Sequence, residues 1–222
     1  MKNLAIVFLC IIWTHLVQAQ NNPPCLAADI IILSDRSSSM QGSEVLVGDA
    51  ISVLVEGIVP EDTRIQFGIV SFGDIARIEI PLTSDYPYLL LSVEEYKKQN
   101  ATGSTTTIIP GIQTARNMFE ESKNDGEHLK IVIIISDGEI HDDYELGEFV
   151  DSISEMDNIL FFSLGFAPEV IPFDIKSPTL RNLYITYMNI NDSLLIRISR
   201  GQYFQNNTFR LRDTIRKLGA CL

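Results

Sequence analysis

Asp35, Ser37 and Ser39 occupy alternate positions in the stretch Asp35-Arg36-Ser37-Ser38-Ser39. In an extended or turning backbone, alternate side chains point to one side. Together they offer a carboxylate and two hydroxyls, with neither nitrogen nor sulfur. That donor set suits a hard divalent cation such as Mg2+, which takes octahedral oxygen and keeps several waters. The other reading of the same residues is a Ser-rich turn that holds nothing. Ligands contributed from elsewhere in the chain decide between the two.

The elements around these residues point to such ligands. Asp35 ends an apolar run, Asp29-Ile30-Ile31-Ile32-Leu33-Ser34, the pattern of a strand buried on both faces. A second run, Ile131-Val132-Ile133-Ile134-Ile135, ends in Ser136-Asp137-Gly138. In an open parallel sheet, sites form outside the carboxyl ends of the strands. Two strands that each end in Asp therefore converge on one edge. The polar stretch Gly103-Ser104-Thr105-Thr106-Thr107, before the helical-looking Ile108–Phe119, adds a threonine hydroxyl.

Asp35-x-Ser37-x-Ser39, a loop threonine and Asp137-Gly138 resemble the metal-ion-dependent adhesion site of the von Willebrand factor type A domain, a fold shared by integrin inserted domains. The resemblance extends over nearly all of the mature chain. It implies that Asp35, Ser37, Ser39, Asp137 and one threonine surround a divalent cation. In the family a small pair precedes the threonine, which points to Thr105 after Gly103-Ser104; a Gly or Ala follows it by about five residues with an aliphatic next, and Gly111-Ile112 then points to Thr106, which is preferred here. In the family the hydroxyls bind directly and one or both carboxylates act through water. One position stays open for an acidic residue of the partner. The implied ion is Mg2+, with Mn2+ as the alternative. The implied rim is Arg36, Asp74, Asn100, Thr105, Glu139 and His141. Arg36 stands where the family more often has a small residue, and its guanidinium is expected to reach into solvent.

Strand and helix patterns alternate along the rest of the chain. Gly42–Ile58 has apolar residues at helical spacing, and Arg64–Phe72 alternates like a strand. Ala76–Leu82 reads as a short strand, with Pro81 marking an edge. Helices are expected at Tyr86–Tyr96, Ile109–Glu121, Asp143–Met156, Asp192–Arg200 and Thr208–Leu218. Strands are expected at Lys130–Ser136, Ile159–Phe166 and Gln202–Phe204, while Leu180–Met188 is ambiguous. The order predicts an α/β fold, doubly wound and Rossmann-like. Its sheet is mainly parallel, with one antiparallel edge strand and helices on both faces.

Residues 1–19 read as a secretory signal peptide: Lys2, the apolar Leu4–Trp13, then Val17-Gln18-Ala19 before the cut. The apolar stretch is shorter than the ~20 residues that span a bilayer. This leaves 20–222 as a single domain with its core at about 25–221. Of the three cysteines, Cys25 and Cys221 remain, one at each end of the mature chain. An even pair in a secreted chain favours a disulfide, and related extracellular domains join their ends in this manner. Free or intermolecular cysteines are the alternative. Asn100, Asn191 and Asn206 begin Asn-x-Ser/Thr sequons, the marks of a secreted glycoprotein.

The formal charge of −12 argues against nucleic acid and against anionic membranes. An enzyme is not expected. There is no Gly-x-Ser-x-Gly elbow, His128 precedes the central strand, and only His141 lies near the Asp137 tip. The expected function is a secreted, metal-dependent adhesion or recognition module. Its partner is a protein that presents Asp or Glu to the metal, and the mature chain is a monomer or a disulfide-linked oligomer with no membrane span. The alternative is a structural matrix or assembly component independent of the metal.

Overall fold

The computed structural model describes residues 27–58, 64–101, 103–122, 128–138, 140, 143–166 and 193–218. Strand β1 (Ala28–Asp35) is followed by a 3-10 turn (Ser38–Met40), α1 (Glu44–Ile58), β2 (Ile65–Phe72), β3 (Arg77–Thr83), α2 (Tyr86–Tyr96) and α3 (Ile109–Glu121). Then come β4 (Leu129–Ser136), α4 (Asp143–Asp157) and β5 (Ile159–Gly165). A short helical segment (193–198), β6 (Tyr203–Gln205) and α5 (Thr208–Lys217) complete the described order.

The strands form one sheet in the order β3-β2-β1-β4-β5-β6. Every pairing is parallel except β2 with β3. This is the expected doubly wound sheet with an antiparallel edge. Pro81 lies exposed on β3, where its missing N–H removes no inner ladder bond.

Alternation along the strands sends side chains to two separate cores. On one face Ile30 and Ile32 of β1, with Ile131, Ile133 and Ile135 of β4, pack under α1, α2 and α5. On the other face Ile31, Leu33, Val132 and Ile134 pack under α3, α4 and the 193–198 segment. Covering both faces is why the central strands read as unbroken apolar runs rather than as alternating ones. β1 is buried at all eight positions.

The helix expected from Gly42 begins at Glu44, after a left-handed Gly42. Boundaries elsewhere agree to within one or two residues. The signal peptide, Cys25, Cys221, Glu139, His141, Asn191 and the Leu180–Met188 stretch lie outside the described residues. Asn100 and Asn206, the other two sequon asparagines, are exposed.

Candidate metal centre

β1 and β4 are parallel neighbours, with Ser34 opposite Ile135, so their C-terminal tips end side by side. The strand ends thus deliver Asp35 and Ser136 to one point. Ser136 Oγ donates to Asp35 Oδ2 at 2.6 Å, and the Ser37 N–H donates to Asp35 Oδ1 at 2.9 Å. The second bond closes an Asx-type turn, which carries the chain off the strand into the 3-10 turn. Within that turn Ser37 Oγ and Ser39 Oγ come within 2.9 Å of each other. Gly138 then bends the chain with φ +85°, and its N–H returns to Ser136 Oγ at 2.9 Å. A side chain at this position would resist that φ.

Asp35 is only 1% exposed. Burial pushes its carboxyl up to about 6, against the opposing bonds from Ser136 and Ser37, and the Asp137 carboxylate pushes the same way. At neutral pH the group is therefore mostly ionised in a place that penalises charge. The Ser136 hydroxyl and the Ser37 N–H that bond it are neutral donors, and the nearby Asp137 charge has its own sign. A cation beside Asp35 would offset that penalty. Among the described residues no cluster of three or more His, Cys, Asp or Glu gathers.

The donor geometry can be tested against a hard ion. Two ligands on adjacent corners of a Mg2+ octahedron, each about 2.0–2.1 Å from the metal, lie about 2.9 Å apart. The Ser37 and Ser39 hydroxyl oxygens have that separation. The residues present fit the group.

The threonine loop is held by backbone against the Asp35 loop and against the turn between β2 and β3. Gly103 bridges Ser37, and Thr107 bridges Gly73. The Gly103 N–H donates to Arg36 O at 3.0 Å, and Thr107 donates to Gly73 O through both its N–H and its hydroxyl. A Cβ on Gly103 would sit 3.2 Å from Arg36 O and 3.3 Å from the Ser37 Cα, both backbone atoms. Glycine here lets two loops touch.

Register within this loop separates the two threonines. Thr105 is exposed and its hydroxyl donates to Asp74 Oδ1 at 2.8 Å. Thr106, the next residue, is 2% exposed and faces inward. Asp74 Oδ1 also takes the Ser104 N–H at 2.8 Å, the Ser104 hydroxyl at 3.1 Å and the Thr105 N–H at 2.7 Å. Asp74 and Thr105, both expected on the rim, are thus spent on each other. They clamp the loop that carries Thr106. Asn100 stands exposed beside them.

These donors, the Ser104 N–H foremost, hold the Asp74 carboxyl down to about 2. A depressed carboxyl contributes stability above its unfolded value of 3.8 and loses it as pH falls through about 2. The unfolding-midpoint difference between wild type and Asp74→Ala should stay constant above about pH 4 and close between about pH 4 and 2. Denaturant titrations of both proteins across that range check this.

Arg36 departs from expectation. It is half-buried rather than solvated: its guanidinium carbon lies 4.4 Å from the centre of the Tyr96 ring, and its Nη2 donates to Gln99 O. Burial raises the Tyr96 hydroxyl to about 12, so the ring stays neutral and presents a π face to the cation. Stacking outcompetes solvation because the end of α2 offers the Tyr96 ring, and Gln99 in the turn after it offers a carbonyl. Sequence reasoning also missed Ser136, the direct partner of Asp35. Its signal was a lone hydroxyl closing an otherwise aliphatic strand.

His128 Nδ1 lies 2.9 Å from Asp29 Oδ1. Asp29 is the second residue of β1, at the end of the strand opposite Asp35. His128 is therefore remote from Ser37 and Ser39.

A von Willebrand factor type A domain model matches residues 29–213. The chain belongs to that family. Among proteins of known identity, integrin alpha-1 of Gallus gallus is 27% identical over 180 residues, which cover 76% of this chain and 62% of the integrin. The type A chain thus spans less than two thirds of that relative. The fold is also that of a manganese-loaded TRAP protein from Plasmodium vivax, with a TM-score of 0.70 and 16% identity, covering 89% of this chain and 76% of that one. A third similar structure is proximal thread matrix protein 1 of the mussel byssus, whose MIDAS motif is occupied by zinc. There the TM-score is 0.63 and the identity 18%, covering 88% of this chain and 46% of that one. Among the described residues of this type A domain, no helix is long and apolar enough to cross a membrane.

Proposed function

We propose that this type A domain is a secreted, non-enzymatic recognition module that binds a partner protein's Asp or Glu through a divalent cation. Mg2+ is the ion that fits the donor set, with Mn2+ as the alternative. Ser37, Ser39 and Thr106 supply hydroxyls, and Asp35 and Asp137 supply charge. The single observation that carries the reading is the buried Asp35 carboxylate beside two hydroxyl oxygens 2.9 Å apart. Family membership supports it, as do relatives among integrins and metal-loaded structures of the same fold.

The cation supplies an electrophilic point to which a carboxylate can bind. The chain's own residues do the rest. Ser136 and the Ser37 N–H fix both oxygens of Asp35, so the carboxylate cannot rotate away when the site is exchanged. Asp74 holds the Thr106 loop in place. Preset donors lower the ordering cost of binding. Cys25–Cys221 pairing and glycans at Asn100, Asn191 and Asn206 belong to the same extracellular reading.

Calorimetric titration of the purified chain with Mg2+ tests the proposal. One-site saturable binding, and capture of acidic ligands that EDTA reverses, is the expected result. A chain that takes up no divalent cation and captures partners equally in EDTA would instead be a metal-independent structural component.

A further inference from the structure

The threonine loop is pinned along its length through its backbone N–H groups. Glu44 Oε1, at the start of α1, takes the Ala101 N–H at 3.0 Å. Arg36 O, next to Asp35, takes that of Gly103 at 3.0 Å. Asp74 Oδ1, in the turn between β2 and β3, takes those of Ser104 at 2.8 Å and Thr105 at 2.7 Å. Gly73 O takes that of Thr107 at 3.2 Å. The Asp35 loop and the turn are joined as well, since the Arg36 N–H donates to Phe72 O at 2.8 Å. Asp35 loop, turn and threonine loop thus close a triangle in which each segment is bonded to the other two. Ser37 and Thr106 sit on two of these segments, so they cannot draw apart unless one side of the triangle opens.

One side depends largely on a single side chain. Between the turn and the threonine loop, Asp74 Oδ1 accepts the two N–H groups and also the Ser104 and Thr105 hydroxyls, at 3.1 Å and 2.8 Å. The other bonds that join these two segments run from Thr107 to Gly73 O.

Resting on the metal reading above, we infer that Asp74 sets the ion selectivity of the site, favouring Mg2+ over the larger Ca2+. Mg2+ takes oxygen at about 2.0–2.1 Å in near-octahedral geometry, whereas Ca2+ takes it at about 2.3–2.6 Å from about six to eight ligands arranged flexibly. To hold Ca2+, the hydroxyls of Ser37, Ser39 and Thr106 must each stand back from the ion by about 0.2–0.6 Å more than for Mg2+. A closed triangle resists that widening and keeps the donors where the smaller ion needs them. Asp74 is a positioning residue: it acts through the loop that carries Thr106.

Mg2+ and Ca2+ titrations of the whole chain test this in wild type, Asp74→Ala and Asp74→Asn. The two ions carry the same charge. A carboxylate that acted only through its charge would shift both affinities together and drop out of their ratio. In Asp74→Ala the Mg2+:Ca2+ affinity ratio should fall about tenfold, the low end of what residues behind a metal ligand contribute. Mg2+ loses a preset site, while Ca2+ gains room. Asp74→Asn keeps an acceptor oxygen for the same N–H groups and should hold the ratio within about threefold of wild type. Asp74 is exposed, and the bonds to Glu44, Arg36 O and Gly73 O remain, so neither substitution threatens the fold.

Hydrogen exchange in the metal-free chain gives a readout independent of the ion. The Ser104 and Thr105 amides should be protected in wild type and in Asp74→Asn, and should exchange faster in Asp74→Ala. A ratio unchanged in Asp74→Ala, even with a lowered unfolding midpoint, would overturn the inference, as would a ratio lost equally in Asp74→Asn. Unprotected Ser104 and Thr105 amides in wild type would overturn it too, with the metal reading untouched. The metal reading fails in a different way, through a wild type that binds neither ion, and that outcome overturns both.

Discussion

In Asp137→Ala, Mg2+ affinity is expected to fall by more than about 100-fold while the domain stays folded. Loss of an outer-shell partner alone costs about 10- to 100-fold, and Asp137 is one of the two carboxylates of the proposed centre. It follows the last residue of β4 and is half-buried, so it belongs to neither core cluster. Its removal also relieves the like charge that helps push the Asp35 carboxyl upward. The metal-free variant is therefore relieved of that repulsion. With the ion present the two proteins should differ. A ligand at about 100 times its dissociation constant stabilises the folded state by about 2.7 kcal/mol, and only wild type gains that increment. Unfolding titrations of both proteins with Mg2+ and with EDTA give both numbers. An equal Mg2+ increment in the two proteins would remove Asp137 from the centre.

Ile133→Ala has the largest expected effect on the fold itself. Ile133 is fully buried in β4, flanked by β1 and β5, and faces the core under α1, α2 and α5. Truncation to alanine removes its transfer energy and leaves a cavity that a sheet cannot close, at a cost of about 2–5 kcal/mol. Ile133 lies three residues, about 10 Å, before Ser136, far enough for its effect to add independently to that of the ion. The Mg2+-dependent increment should therefore survive in a domain of much lower stability. Denaturant unfolding with and without Mg2+ checks both parts. Loss of the increment would mean that the strand tips are set by core packing at mid-strand.

The sheet was legible in the residues. Unbroken apolar runs such as Asp29–Ser34 and Ile131–Ile135 have one physical solution at this length, a strand covered on both faces. Helices at regular intervals between them require parallel crossovers. Pro81 identified the edge because only an edge strand can lose an N–H without leaving an acceptor unpaired. Asp35, Ser37, Ser39 and Asp137 could be picked out because site residues in such sheets follow strand ends, and strand ends are visible as the end of an apolar run.

What stayed hidden depended on contacts between segments distant in the chain. Two adjacent threonines have the same composition and nearly the same spacing. Asp74, thirty-one positions before Thr105, turns one outward and leaves Thr106 facing inward. Arg36 looked like a solvated cation because nothing near it in sequence is aromatic, and Tyr96 reaches it only when α2 folds onto the sheet. Ser136 became a partner of Asp35 only through the register of β1 with β4. Local pattern by itself thus determined which elements form and which residues end them, because burial periodicity is a property of neighbouring residues. The tertiary structure decided which hydroxyl faces inward, which charge is stacked and which carboxylate is spent as a clamp. Those outcomes depend on pairings across tens of residues, and no local preference encodes them.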